Sequence, residues 1–430
     1  MKNQNHKEVQ KPQMTEAEKL HIAHVDSKGH KVNASKVNKS KKVKKPWTFK
    51  RVMLKIVLPI VLVLAIIAGG LYIAFIQYKK HLLNQIEFIP KQENPTFINE
   101  EGSVVTLSHY TSETYAPPIE EEHVHNFLLI GIDSRSRDYS SDGSGDLADV
   151  IMVMSVDDSA GTIKLLTIQR DCYVNIPGYK KLQKINAAMT FGGPELLKTV
   201  IQNHLRLTID GYAYVNFYHM EEVIDAVGGI DIELTRSEVF HDPGGLNDNL
   251  RELNSIHGVS EETYFLDSAG MQHLNGRQAV AYSRIRMVGN GVYARSERQV
   301  KVLNELLNKY VNMSTTSQLS ALDDILKMIA TDISPDEIEK YAFDFLPNVK
   351  NLSLETMGIP VDGYYVEGVF SDDIRPNDWS IRADWNGMIP LVQDFFYGET
   401  YPFDEVPHIP RAPEHDVSDL MIPASSESDS

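Results

Sequence analysis

The chain has 430 residues, with 42 Lys plus Arg against 59 Asp plus Glu and a formal charge of -17 at pH 7, a balance that disfavours a nucleic-acid-binding surface. Its length allows two or three folded units, and 42% hydrophobic residues suffice for a sizeable core. The single cysteine, Cys172, excludes an intramolecular disulfide framework and any cysteine-based zinc site.

Residues 1–55 hold 15 Lys or Arg and only four acids, Glu8, Glu16, Glu18 and Asp26. Their low apolar content predicts a disordered basic tail. Residues 56–76, IVLPIVLVLAIIAGGLYIAFI, carry no charge over 21 positions, and a helix rising ~1.5 Å per residue would carry them across a hydrocarbon core of roughly 30 Å. A buried core helix or a cleaved signal fits less well, because the run is long for a signal core and no clean small-residue cleavage site follows. Lys41, Lys42, Lys44, Lys45, Lys50, Arg51 and Lys55 crowd the N-terminal flank, against Lys79 and Lys80 on the other side. That asymmetry places the N-terminus in the cytoplasm and everything after residue 80 outside, as a single-pass membrane protein with an acidic ectodomain.

Residues 77–123 are polar, carry Pro90, Pro95, Pro117 and Pro118, and end in an acidic run; they read as a stalk with some strand pairing. A domain over 124–400 follows. VHNFLLIGI from Val124, DVIMVMSV from Asp149 and TIKLLTI from Thr162 read as central strands, bounded by Gly, Asp and Ser. ELLKTVIQNHL from Glu195 has helical spacing, YAYVNF from Tyr212 reads as a strand, MEEVIDAV from Met220 as a helix stopped by Gly228-Gly229, and IDIEL as a strand. Residues 241–268 read as an irregular surface loop. GMQHLNGRQAVAYSRIR from Gly270 and ARSERQVKVLNELLNKYV from Ala294 read as helices around the loop MVGNGVY. LSALDDILKMIA and SPDEIEKYAFDF add two more, the second with Ser334 as N-cap and Pro335 at the first helical position. NLSLETMGI from Asn351 is a predicted strand and WNGMIPLVQDFFYG from Trp385 a closing helix. The alternation predicts an α/β (α+β) fold, a layered central mixed β-sheet flanked by helices. Residues 401–430, rich in Pro, Asp, Glu and Ser, read as a disordered acidic tail.

The residues that point to chemistry are arginines in an acidic ectodomain: Arg284, Arg286, Arg295 and Arg298 fall within fifteen residues. In an extended stretch Arg284 and Arg286 would point the same way, while Arg295, Arg298 and Gln299 begin a helix. Guanidinium forks and helix N-termini both favour phosphate. Spacing leaves open whether these arginines meet a ligand or the local carboxylates. Asp133 and Arg135 end one predicted strand, Arg170 and Asp171 end another, and Asp149 opens a third; strand ends are where α/β sites assemble. Two carboxylates beside a phosphate suit a hard cation such as Mg²⁺, and Lys184 with Asn186 could add a cation and an amide.

LLIGIDSR, DVIMVMSVD, LLTIQRDCYVNIPG, KINAA with Gly192-Gly193, VIDAVGGIDI, LNGRQAVAYSRIR and RSERQ, in that order over about residues 124–301, resemble the LytR-CpsA-Psr domain. The resemblance implies an extracellular domain on one membrane helix that moves a glycopolymer from a polyprenyl-pyrophosphate carrier onto peptidoglycan with Mg²⁺. It implies metal-associated acids at Asp133 and Asp149, a catalytic set of Arg170, Asp171, Arg284, Arg286 and Arg295, and pyrophosphate contacts from Arg135, Lys184, Asn186, Arg298 and Gln299. Gly228 and Gly229 are turn residues.

The sequence departs from the pattern at three places. Gln169 stands where the family usually has Pro, Leu147 and Asp146 where an Arg usually precedes Asp149, and Val292 where an acid usually lies three residues before Arg295. A valine neither binds metal nor accepts a proton, so one alternative is a degenerate member that binds lipid-linked polymer or wall glycan without turnover. A transcriptional attenuator ranks lower, because the only basic segment is the short tail and it holds no recognition helix. Cys172 reads as a small buried hydrophobe.

Overall fold

The computed structural model describes residues 58–107, 121–134, 146–341, 354–370 and 378–401. The basic tail 1–55, residues 56–57 of the expected span, residues 108–120 of the expected stalk, Arg135 and the tail from residue 402 lie outside the described residues. The apolar run is helix α1 (Leu58–Leu83). Val63, Leu64, Ile66, Ile67, Leu71 and Ile73 are all more than half exposed, an apolar surface that fits a single-pass membrane anchor. The helix runs seven residues past Ile76, and its last turn is fixed to the folded domain: Leu82 and Leu83 are buried against Leu322 and Leu326, and the Tyr78 hydroxyl donates to the Leu319 carbonyl at 3.2 Å.

The segment after α1 contributes more than a stalk. Strand β1 (Glu87–Phe88) joins the edge of the main sheet, and β2 (Thr96–Ile98) pairs antiparallel with β3 (Val104–Thr106), sending Phe97, Val105 and Leu107 into the principal core.

Next come β4 (Val124–Ile132), β5 (Ala148–Asp157) and β6 (Thr162–Ile168), then a short ribbon of β7 (Tyr173–Val174) and β8 (Gln183–Lys184). Helix α2 (Ala187–Leu205) is kinked at Gly192–Gly193, where Gly193 takes a φ of 65 that favours glycine. It leads into β9 (Gly211–Asn216) and α3 (Phe217–Ala226). Gly228 and Gly229 both take positive φ and turn the chain into β10 (Ile230–Leu234). Helix α4 (Arg236–Phe240) opens with a Thr235–Glu238 capping box.

Residues 241–268 are not the expected loop, since they contain α5 (Leu246–Ile256). Leu246, Leu250 and Leu253 lie on its buried face, a helical spacing masked by the flanking Pro-Gly-Gly turn. The stretch expected as a helix from Gly270 begins instead as β11 (Gly270–Leu274), antiparallel to β10 with Ile230 opposite Leu274, and becomes α6 (Gly276–Ser283) only after the Asn275 cap. Helices α7 (Gly291–Val311) and α8 (Thr315–Ile325), strand β12 (Ala330–Thr331), helix α9 (Pro335–Glu339) and strand β13 (Leu354–Ile359) follow. Ser334 caps α9 with Pro335 at its start, as expected. The hairpin β14 (Tyr365–Val369) and β15 (Trp379–Ala383) leads to α10 (Trp385–Tyr397).

Seven strands form one mixed sheet in the order β1-β12-β9-β4-β5-β6-β13. Strand pairs β4/β9 and β6/β13 are parallel, and β4/β5 and β5/β6 antiparallel. The period of two divides its faces. Leu128, Ile130, Ile132, Ile151, Val153, Tyr212 and Tyr214 pack with Leu196, Leu197, Val200, Trp385, Met388 and Val392 of α2 and α10 into the principal core. Leu129, Gly131, Val150, Met152, Ala213 and Val215 face the other way. There α3, α5, α6, α7 and the two-stranded β10–β11 sheet build a second core around Ile224, Ile232, Leu250, Val280 and Ile285.

Candidate active site

The second core does not fill the sheet. A cavity of about 310 Å³ remains between that face and α3, α6, α7 and α8, lined by sheet residues and by Phe217, Met220, Val223, Val280, Val302, Leu303, Leu306 and Tyr310. Its lining is almost wholly apolar.

Charged residues gather where this cavity meets the strand ends. Asp149 is adjacent to lining residue Val150, Arg284 to Ser283, and Arg295 is one helical turn from Gln299. Arg170, just past β6, pairs with Asp149 and reaches Asp171 at 3.4 Å. Arg286 approaches the second oxygen of Asp149 at 3.5 Å, and Lys184 bonds Asp171 at 3.0 Å and Asp378 at 3.0 Å. Asn186, 6% exposed, donates its backbone N–H to the Arg170 carbonyl at 3.3 Å and so holds the loop that carries Arg170.

Arg295 is the informative member. It leaves the first turns of α7, is 3% exposed, and has no hydrogen-bond partner at Nε or Nη1. Its pKa is pulled down to about 10, by burial first and then by the charges of Arg170 and Arg286, against a smaller opposing effect of Asp149 and Asp171. Arg286 is lowered as well, by burial first and then by Arg170, whereas Arg170 is raised because Asp149 and Asp171 outweigh its burial. An orphaned buried guanidinium beside two others is costly in isolation and is relieved by an anion.

Not every expected contact is in the cluster. Arg284 ends α6 in a helical conformation instead of the expected extended one, and its charge is among those that lower the Arg286 pKa. It pairs with Glu252 at 3.0 Å and lies 4.7 Å above the Phe217 ring at the cavity wall, with Nη1 unpartnered. The Arg298 guanidinium is committed elsewhere, bonding Glu238 at 3.0 Å and the carbonyls of Ile285 and Val288 at 3.2 and 2.8 Å. It pins the 285–288 turn that presents Arg286. Gln299 lines the apolar cavity. Cys172 is fully buried, and burial pushes its thiol well above the usual range, as expected of a packing residue.

Asp133 and Asp149 leave neighbouring strand ends, with the Asp133 N–H donating to the Leu147 carbonyl at 3.1 Å. Among the described residues no three His, Cys, Asp or Glu side chains converge as an all-protein metal site. Carboxylate oxygens are the donors Mg²⁺ accepts, and here both oxygens of Asp149 are paired with Arg170 and Arg286. Sequence reasoning missed Gln169 as a contact: its amide donates to Ser296 Oγ at 3.0 Å, tying the end of β6 to α7.

Fold and site define an α/β domain that presents a cationic cluster at the mouth of an apolar cavity. The LytR_cpsA_psr family matches residues 92–377, and the chain belongs to that family. A protein of Enterococcus faecalis named polyisoprenyl-teichoic acid–peptidoglycan teichoic acid transferase TagU is 31% identical over 267 residues, 60% of this chain and 79% of that one. The corresponding transferase TagV of Bacillus subtilis is 30% identical over 211 residues, 48% of each chain. Among solved structures, B. subtilis TagV superposes with a TM-score of 0.50 at 24% identity, covering 66% of this chain and all of that one. Protein gbs0355 of Streptococcus agalactiae gives 0.52 at 19% identity, covering 67% and 92%. Both share the fold.

Proposed function

We propose that this chain is a membrane-anchored transferase, with its domain outside the cytoplasm, that moves a glycopolymer from a polyprenyl-pyrophosphate carrier onto peptidoglycan. One observation carries the reading: Arg295, buried and unsatisfied, stands with Arg170 and Arg286 beside an apolar cavity. A ligand that is a polyanion at one end and a hydrocarbon at the other satisfies both halves. The names of the matched relatives support the same substrate class.

In this reading Arg170, Arg286 and Arg295 hold the pyrophosphate and neutralise charge as polyprenyl phosphate departs. An acceptor sugar hydroxyl attacks the polymer-side phosphorus in line, so that one P–O bond forms as the bond to the bridging oxygen breaks. The acceptor proton passes to Asp171 or to water; a loose transition state asks little of a base, which makes Val292 tolerable. Asp133 and Asp149 would hold Mg²⁺, whose charge would further neutralise the pyrophosphate. Arg284 steers the donor at the cavity wall.

Val292 favours one other reading, a binder without turnover. The full chain in detergent micelles, given a polyprenyl-pyrophosphate-linked glycan, peptidoglycan fragments and Mg²⁺, separates the two by mass spectrometry. The expected result is a phosphodiester product that disappears with chelator and in Arg286→Ala. Bound lipid without product supports the binder, and product retained by the Arg284→Ala/Arg286→Ala double variant overturns the site assignment.

A further inference from the structure

A second cavity, of about 340 Å³, lies against the other side of α7. Tyr293, Ser296, Glu297 and Val300 border it at i, i+3, i+4 and i+7 spacing, which is one helical face. Gln299, Val302, Leu303 and Leu306 face the apolar cavity. Helix α7 is therefore a partition between two chambers, with Arg295 near its N-terminal end. The floor of the second chamber is β13, the edge strand that runs parallel to β6 and ends level with it, Ile359 opposite Ile168. Its wall toward the arginines is the bond from Gln169 to Ser296 Oγ, each residue being the immediate neighbour of a cluster member, Arg170 or Arg295.

The chemistry of the two chambers differs. The second presents an amide, hydroxyls of Ser296 and Thr356, carboxylates of Glu297 and Asp362, and the Tyr293 ring, whose hydroxyl is anchored to Glu367 at 3.0 Å. No Lys, Arg or His occurs among the described residues lining it. Carboxylates without a cation repel a phosphate and accept from hydroxyl and amide donors, and an aromatic ring at the wall suits the C–H face of a pyranose. We infer that this chamber is a glycan site that holds one N-acetylated hexopyranose of the peptidoglycan strand, delivering its neighbouring hydroxyl past the Gln169–Ser296 wall to the arginine cluster. As an acceptor site it rests on the transferase reading; as a glycan-binding site it does not.

The test uses the full chain in detergent micelles and a soluble peptidoglycan glycan-strand fragment lacking stem peptides, with binding read by calorimetry and no turnover required. A Cβ on Gly358, in the floor, would meet no heavy atom within 4 Å, so Gly358→Leu projects into the chamber without disturbing the backbone. Glu297→Arg, on an exposed helical position, places a cation there and keeps the fold independent of the first variant. Each variant is expected to weaken fragment binding by about tenfold or more, while binding of a polyprenyl-pyrophosphate lipid stays within about twofold of the parent. Arg295→Ala is expected to give the reverse, losing the lipid and keeping the fragment. Fragment binding that is absent from the parent, or unchanged in both chamber variants, overturns the proposal. Chamber-dependent fragment binding with no transfer product from any donor leaves the glycan site standing and removes the transferase reading alone.

Discussion

Arg286 Nη2 lies 3.5 Å from Asp149 Oδ2, and the other oxygen of the same carboxylate is taken by Arg170. Asp149 is thus counter-ion to two guanidinium groups and, with Asp133, a candidate metal ligand. Asp149→Asn keeps the shape and removes the charge. Donor binding should hold or tighten, because the cluster gains net positive charge, whereas transfer should fall by about 100-fold or more if the acid also holds a cation. Initial rates across a Mg²⁺ titration check this. A variant that keeps the parent's response to Mg²⁺ would place the ion elsewhere.

Arg295 is held charged at a cost that only an anion offsets. Its folded pKa of about 10 lies below its ordinary 12.5, so between those values the unfolded chain binds the extra proton and stability rises with pH. At neutral pH the ligand-free protein carries that penalty in full. Arg295→Met should therefore leave the empty chain as stable as the parent or more stable by about 1–4 kcal/mol, while donor binding is lost. Thermal unfolding with and without a polyprenyl-pyrophosphate lipid separates the effects: the parent gains stability with lipid and the variant does not. Equal ligand-induced shifts in both would remove Arg295 from the binding set.

Arg298 stands one turn away on α7 and is expected to behave oppositely. Its guanidinium ties Glu238 to the Ile285 and Val288 carbonyls, so Arg298→Met leaves a partly buried carboxylate and two carbonyls short of a donor. The expected loss is about 3 kcal/mol of stability, and lipid affinity measured well below the transition should fall no further than in Arg286→Ala, because Arg298 acts by pinning the turn that presents Arg286. A stable Arg298→Met chain that no longer binds lipid would make Arg298 a ligand contact.

The contrast between these two arginines shows where sequence reading stops. The strand runs from Val124, Asp149 and Thr162, the helix expected from Ala294, which in fact starts at Gly291 within the expected loop, and the order of the charged motifs were legible, because apolar runs and periodicity survive any tertiary context. Which arginines face a ligand was not, since Arg295 and Arg298 differ by three positions on one helix and only their partners tell them apart. Helix α5 hid behind a Pro-Gly-Gly turn although Leu246, Leu250 and Leu253 carried its spacing. β11 was misread because its five residues acquire their identity from pairing with β10. Gln169 looked like a neutral departure from a turn proline; its amide proves to link β6 to α7 beside the second chamber.

The principal core holds an acid-sensitive group. His204, fully buried in α2, has Nδ1 2.7 Å from the Val200 carbonyl, accepts the Asn175 N–H at Nε2 at 3.2 Å, and meets Trp385 edge-on. These partners satisfy one neutral tautomer, with the proton on Nδ1; a second proton at Nε2 would confront the Asn175 donor. Burial accordingly pulls the pKa from 6.5 down to about 4, against a smaller upward effect of the Val200 bond. Between those values the unfolded chain holds a proton that the folded chain refuses, so stability falls as pH drops from about 6.5 toward 4. The loss is on the order of 3 kcal/mol. His204→Phe should be less stable than the parent at pH 7, because Asn175 loses its acceptor, yet the gap should narrow steadily on acidification. Urea unfolding of both chains at pH 7, 5.5 and 4.5 measures it. A gap that is constant over that range would mean that His204 binds its proton equally in both states, and the acid sensitivity of the fold would then have to arise from its carboxylates.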